Sequence, residues 1–233
     1  MPRTLHFLSA GAAQGLVTAL LPAFEATHGC RLQGRFGAVG AMKEALLAGE
    51  PCDVMILSDA LIHTLVVAGR LLGDGRVALG RVRTGIAVPK GRPHPDVGGA
   101  DALRQALLAA EAVHFPDPER ATAGIHFARV LASLGIADAL QERLHTHPNG
   151  ATAMAAMARS GSAGAIGCTQ VTEILHTPGV DLVAVLPPQF ELATVYTAAL
   201  SAQAAHPDLA ARWLRTLAAA EHRALRESLG FET

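Results

Sequence analysis

Short apolar runs alternate along the chain with helix-length amphipathic stretches, and the alternation itself predicts most of the elements. Leu5–Leu8 reads as a strand, and residues 12–27 form an amphipathic stretch that His28-Gly29 stops. A strand follows at 31–36, then a helix over 41–48 ended by Gly49. Val54–Leu57 is continuously apolar, as in a strand buried on both faces, and a further helix opens at Ser58-Asp59. Strand–helix–strand units of this length give right-handed crossovers and parallel strands flanked by helices.

The character changes where a strand over 85–88 meets Pro89-Lys90-Gly91-Arg92-Pro93. Beyond it the pattern predicts helices at 101–109, from about 122, at 136–142 and at 151–158. It predicts strands at 112–115, 163–168, 182–186 and 192–199. His145 and His147, beside Pro148, read as loop residues. Residues 207–229 read as one long helix packed through Leu209, Trp213, Leu217 and Leu225. The expected organisation is two lobes joined by two crossings, with residues 1–83 plus 194–233 in lobe 1 and 84–193 in lobe 2.

Composition narrows the function classes. The 233 residues are 50% apolar and 17% charged, enough for a large core. A formal charge of −1, with 19 dispersed Lys and Arg, gives no basic face for nucleic acid. No apolar run approaches the roughly 20 residues of a membrane span, so no membrane insertion is expected. No apolar leader precedes the first strand, so the chain as written is expected in the cytoplasm, or in the periplasm if an export signal is missing. Cys30, Cys52 and Cys168 match no zinc or redox spacing and read as small core residues. The eleven histidines fall in no His-x-x-x-His or His-x-x-Glu-His pattern, so neither metal nor cofactor is expected.

Four glycine- or hydroxyl-rich segments stand at strand ends: Leu8–Gly11, Phe36–Gly40, Thr122–Ile125 and Ile166–Gln170. Backbone N–H groups and small hydroxyls there can converge on one anion without side-chain bulk. The candidate ligand-binding residues are therefore Ser9, Ala10, Val39, Gly40 and Ser58, followed by Arg83, Thr122, Ala123, Thr169 and Gln170. Ser9 and Ser58 also suit plain helix caps. Arg83 suits a bidentate carboxylate clamp at a hinge. His126, Glu173 and Lys43 are the bases within reach of these segments, with no catalytic role assigned.

Leu8–Gly11, Phe36–Met42, Gly49–Val54, Ser58-Asp59, Asp117–Glu119 with Ala123–Ile125, and Leu229–Phe231 together resemble the molybdate-binding proteins of ABC transporters. The resemblance implies a type 2 periplasmic-binding-protein fold: α/β, two lobes, parallel or mixed sheets flanked by helices and two hinge crossings. Its implied partners are a small anionic ligand and, if the chain is exported, a transporter permease. Val39 and Gly40 stand where that family has serines, and Cys168–Gln170 where it has a tyrosine, which disfavours molybdate itself. Ala165–Gln170, Glu173-Ile174, Pro178–Val183 and Leu186–Pro188 look more like the branch that includes aconitate isomerase, whose activity is proton transfer between cis- and trans-aconitate.

Overall fold

The structure, a computed structural model, describes residues 3–233; Met1 and Pro2, with which the expected first lobe begins, lie outside them. In chain order the elements are β1 (Arg3–Ala10), α1 (Gln14–His28), β2 (Cys30–Gly37), α2 (Val39–Leu47), β3 (Val54–Ser58), α3 (Asp59–Val67) and β4 (Val77–Pro89). Next come α4 (Ala100–Ala109), β5 (Ala112–Pro116), α5 (Thr122–Ser133), α6 (Ala137–Leu140), β6 (Leu144–His147), α7 (Gly150–Arg159), β7 (Ala165–Gln170) and α8 (Val171–His176). The chain ends with β8 (Val180–Val185), β9 (Ala193–Leu200), α9 (Pro207–Ala218) and α10 (Arg223–Ser228).

Two compact units emerge, one of residues 3–82 with Thr194–Thr233, the other Arg83–Ala193. The expected first lobe ended at residue 83; here Arg83 opens the second unit.

In the first unit the strand order is β2-β1-β3-β9. β1 pairs in parallel with both β2 and β3, and β9 returns antiparallel to β3. β3 is central because Val54–Leu57 are wholly buried and have no polar face to offer solvent. α1 stops at Gly29, whose φ of 58° is left-handed and suits glycine. Its apolar stripe, Leu16, Val17, Leu20 and Phe24, packs toward α9, where Trp213 meets Phe24 edge-on at 4.8 Å. Asp53, 2% exposed, ties the unit: it accepts bonds from the backbone N–H of His6 (2.7 Å), Ala205 (2.6 Å) and His206 (3.2 Å). The Cys52-Asp53-Val54 segment thus serves the scaffold.

The second unit carries β7 beside β5, β5 beside β6, and β4 antiparallel to both β7 and β8. One cluster packs Leu103, Leu107, Val113, Phe115, Phe127, Val130 and Leu131; a separate one holds Ala153, Met154, Met157 and Ile174. The two clusters draw on different helices, so the sheet is covered by α4 and α5 in one and by α7 and α8 in the other.

Two expectations are corrected. Residues 207–229 are not one helix: α9 ends at Ala218, Ala219 is extended (φ −55°, ψ 140°) and α10 starts at Arg223. The buried Arg226 guanidinium explains the break, because its Nη1 donates to the carbonyls of Leu217 and Ala219, both at 3.0 Å, which a continuous helix would use itself. His145 and His147 lie not in a loop but in β6, a short strand paired with His114 and Pro116 of β5.

Candidate functional site

In the first unit Ser9 pairs with Phe36 and with Ile56, so β1, β2 and β3 all end at one edge. The helices that follow these strands start there, and this is where Ser9, Ala10, Val39, Gly40 and Ser58 come together. Ser9 is fully buried, and its hydroxyl donates to the Ala10 carbonyl at 3.0 Å; it caps no helix. Ala38 is the N-cap of α2 and Ser58 that of α3, yet neither side chain accepts a bond from its helix. The first amides of α2 and α3 therefore have no intrahelical acceptor and no cap, and their positive ends face the edge. Asp59, in the first turn of α3, accepts from Thr197 Oγ1 of β9 at 2.9 Å.

The second unit has the equivalent edge, at the ends of β5, β6 and β7. After β5, Asp117 Oδ1 accepts from the N–H of Glu119 (2.7 Å) and Arg120 (3.1 Å), turning the chain into α5. Thr122 and Ala123 open that helix, again without a side-chain cap. Gly124 is required here, because a Cβ would overlap the carbonyls of Pro116 and Asp117. His126, one turn in, donates from Nε2 to the Phe190 carbonyl at 2.8 Å.

Thr169 and Gln170 end β7. Thr169 is committed inside the unit, donating from Oγ1 to Glu173 Oε2 at 2.6 Å. Glu173 is buried, and its carboxylate also accepts from the backbone N–H of Ala151, Gln170 and Gly150. Burial raises its pKa, and these four donors oppose the rise. Glu173, third residue of α8, reaches back to the backbone N–H of the N-cap Gln170, one half of a capping box, while the same carboxyl group fills the N-terminus of α7. Asn149 completes α7 by accepting from the Thr152 N–H at 2.9 Å. A Cβ on Gly150 would overlap both Glu173 and Thr169. Arg83 Nε lies 3.9 Å from Glu191 Oε1.

Beside this edge His114 stacks between His145 (4.9 Å) and His147 (5.3 Å), with His114 Nδ1 3.1 Å from His147 Nε2. Burial, then the neighbouring imidazoles, push His114 down to about 4. Among the described residues no group of three or more His, Cys, Asp and Glu is arranged to hold a metal ion.

Glu173 was legible as a nearby base but not as the group that fills α7. Thr84, 1% exposed at the start of the second unit's share of β4, carried no signal beyond β-propensity.

The sequence model of the family described as bacterial extracellular solute-binding protein matches residues 5–232. An aconitate isomerase from Pseudomonas sp is 30% identical over 224 residues, 92% of this chain and 82% of that protein. The periplasmic molybdate-binding protein of Azotobacter vinelandii superposes with a TM-score of 0.79 at 17% identity, covering 98% of this chain and 99% of its own. A sulfate-binding protein of Mycobacterium tuberculosis H37Rv gives 0.76 at 20% identity, covering 98% and 86%. At such identities these two establish the α/β periplasmic-binding-protein fold that the motifs resembled.

Proposed function

The chain belongs to the bacterial extracellular solute-binding protein family, and on that premise we propose that it is a receptor for a small anion held by helix N-termini and hydroxyls. The observation that carries this reading is the convergence, at one edge of the first unit, of α2 and α3 with uncapped N-termini beside Ser9 and Ser58. The second unit supplies a further uncapped N-terminus at α5, at the same sheet edge as Gln170. The reading brings with it a permease as protein partner and a place of work outside the cytoplasm, which fractionation of native cells would check.

Proline at the first helical position tests it, because it deletes one N–H and leaves helix geometry intact. Ala38 and Ala121 are already extended (ψ 143° and 129°), as a residue before proline requires. Val39→Pro and Thr122→Pro should each weaken anion binding by about tenfold or more, the worth of one charge-assisted bond. Ala100→Pro, at the start of α4 after the far end of β4, is the control and should bind like the parent. Calorimetric titration with sulfate, molybdate and citrate gives the readout; equal affinities in all four proteins would sink the reading.

The aconitate isomerase relative favours a second reading, proton transfer on a bound polycarboxylate. Proton NMR with cis-aconitate in deuterated buffer decides it: trans-aconitate or deuterium incorporation supports an enzyme, and an unchanged substrate removes the idea.

A further inference from the structure

Thr84 and Gln170 are direct partners across the antiparallel β4–β7 pair, so their side chains share one face of the second unit's sheet. They are 1% and 3% exposed. Their backbones are accounted for: the Thr84 N–H donates to Leu192 O and its carbonyl accepts from Leu186, both at 3.0 Å, while the Gln170 N–H meets Glu173. Their side chains are not. Among the described residues neither Thr84 Oγ1 nor Gln170 Oε1 or Nε2 has a hydrogen-bonding partner in the protein.

A buried hydroxyl and a buried carboxamide without partners destabilise a fold, and an apolar residue of the same shape would do better at either position. The nearby carboxylate cannot relieve them, since Glu173 already accepts from Thr169 and three backbone amides. We propose that Thr84 and Gln170 form the specificity seat of the second unit, taking an organic acid that offers both a hydrogen-bond donor and an acceptor. This deepens the small-anion reading and rests on it.

The chemistry of the seat selects the class. Gln170 Nε2 donates, Gln170 Oε1 accepts, and Thr84 Oγ1 does either. A hydroxyl beside a carboxylate, or a carboxyl that keeps its proton, satisfies all three atoms. Sulfate and molybdate at neutral pH only accept, so they would leave Oε1 unpaired and facing an oxyanion. An amide-built end of this kind rejects ligands that lack the matching donor, because its own buried groups are then left unpaired.

The test pairs affinity with stability on the whole chain. Thr84→Val and Gln170→Met keep shape and remove the polar atoms; Thr84→Ser restores the hydroxyl. Calorimetry at neutral pH uses citrate, propane-1,2,3-tricarboxylate, sulfate and molybdate as probes. The expected result is citrate or the tricarboxylate bound at least tenfold more tightly than either inorganic anion. Thr84→Val and Gln170→Met should lose at least tenfold of that organic-acid affinity, and Thr84→Ser should recover most of it. Without ligand, Thr84→Val should melt no lower than the parent, because it removes an unpaired buried group. Preference for citrate identifies the donor as a hydroxyl; equal binding with proton uptake, seen by titrating in two buffers of different ionisation enthalpy, identifies a protonated carboxyl. If the parent binds no probe, the anion reading fails and takes this one with it. If it binds inorganic anions as tightly as the acids, or if both variants bind the acids unchanged, the seat is wrong while the anion reading stands. A large drop in melting temperature for ligand-free Thr84→Val would overturn it too, by revealing that the hydroxyl has a structural partner.

Discussion

The two units end their parallel strands in the same way, yet they treat the helix N-termini there differently. In the first unit the starts of α2 and α3 are left without side-chain caps beside small hydroxyls. In the second, α7 is closed twice, by Asn149 and by the buried carboxyl group of Glu173, while α5 starts without a side-chain cap and, among the described residues, a buried amide and hydroxyl stand without partners. In the proposed reading, one edge answers to negative charge in general, through amides and dipoles. The other holds a buried carboxyl group among its own donors, so in the proposed reading discrimination there depends on hydrogen-bond pattern.

The sharpest way to break this contrast is to remove the place of that buried carboxyl group. Gly150→Ala should cost about 3 kcal/mol in chemical denaturation, since the new methyl overlaps the Glu173 carboxyl group and the Thr169 hydroxyl and must displace their buried hydrogen bond. Glu173→Ala should cost about as much, by leaving three amides and the Thr169 hydroxyl without their acceptor, whereas Glu173→Gln, which keeps an acceptor oxygen, should cost about half. Equal losses for the Ala and Gln variants would show that charge, not acceptance, holds α7.

The next effect is pH dependence. His114 has its folded pKa depressed to about 4 by burial, below the unfolded value of 6.5. The unfolded chain therefore binds the extra proton first, and stability falls as pH drops from about 6.5 toward 4, by about 3 kcal/mol from this group. His114→Phe should flatten that limb of a denaturation–pH series; an unchanged slope assigns the loss elsewhere. The smallest effect compares the caps directly. Asn149→Ala should lose about 1 kcal/mol, while Ser58→Ala, at an N-cap that does not cap, should stay within about 0.5 kcal/mol. Thermal melts of the two variants side by side measure it.

Most of the fold was legible because strands such as Val54–Leu57 are apolar throughout and helices such as α1 stop at a left-handed glycine. What was hidden depended on partners distant in sequence. β6 is polar, with His145 and His147, and is a strand only because β5 pairs with it. The break after Ala218 depends on Arg226 reaching back to two carbonyls. At the site, Gly- and Ser-rich strand ends advertised Ser9, Val39, Gly40 and Ser58. Thr84 stayed invisible: inside an apolar strand a threonine looks like any β-branched residue, and its unpaired hydroxyl is seen only once the strand is set against Gln170, 86 positions away by their numbering.

The first unit is split in the sequence, and β9 is the piece that completes it: Met55 of β3 pairs with Ala199 only after the whole second unit has intervened. During synthesis the inserted unit is available to fold as a continuous stretch, while β3 waits for a neighbour that has not yet been made. Pulsed hydrogen exchange on released chains truncated after residue 193 would find protected amides in β5 and β7 and open ones along β3. The part of the protein translated first is thus finished last.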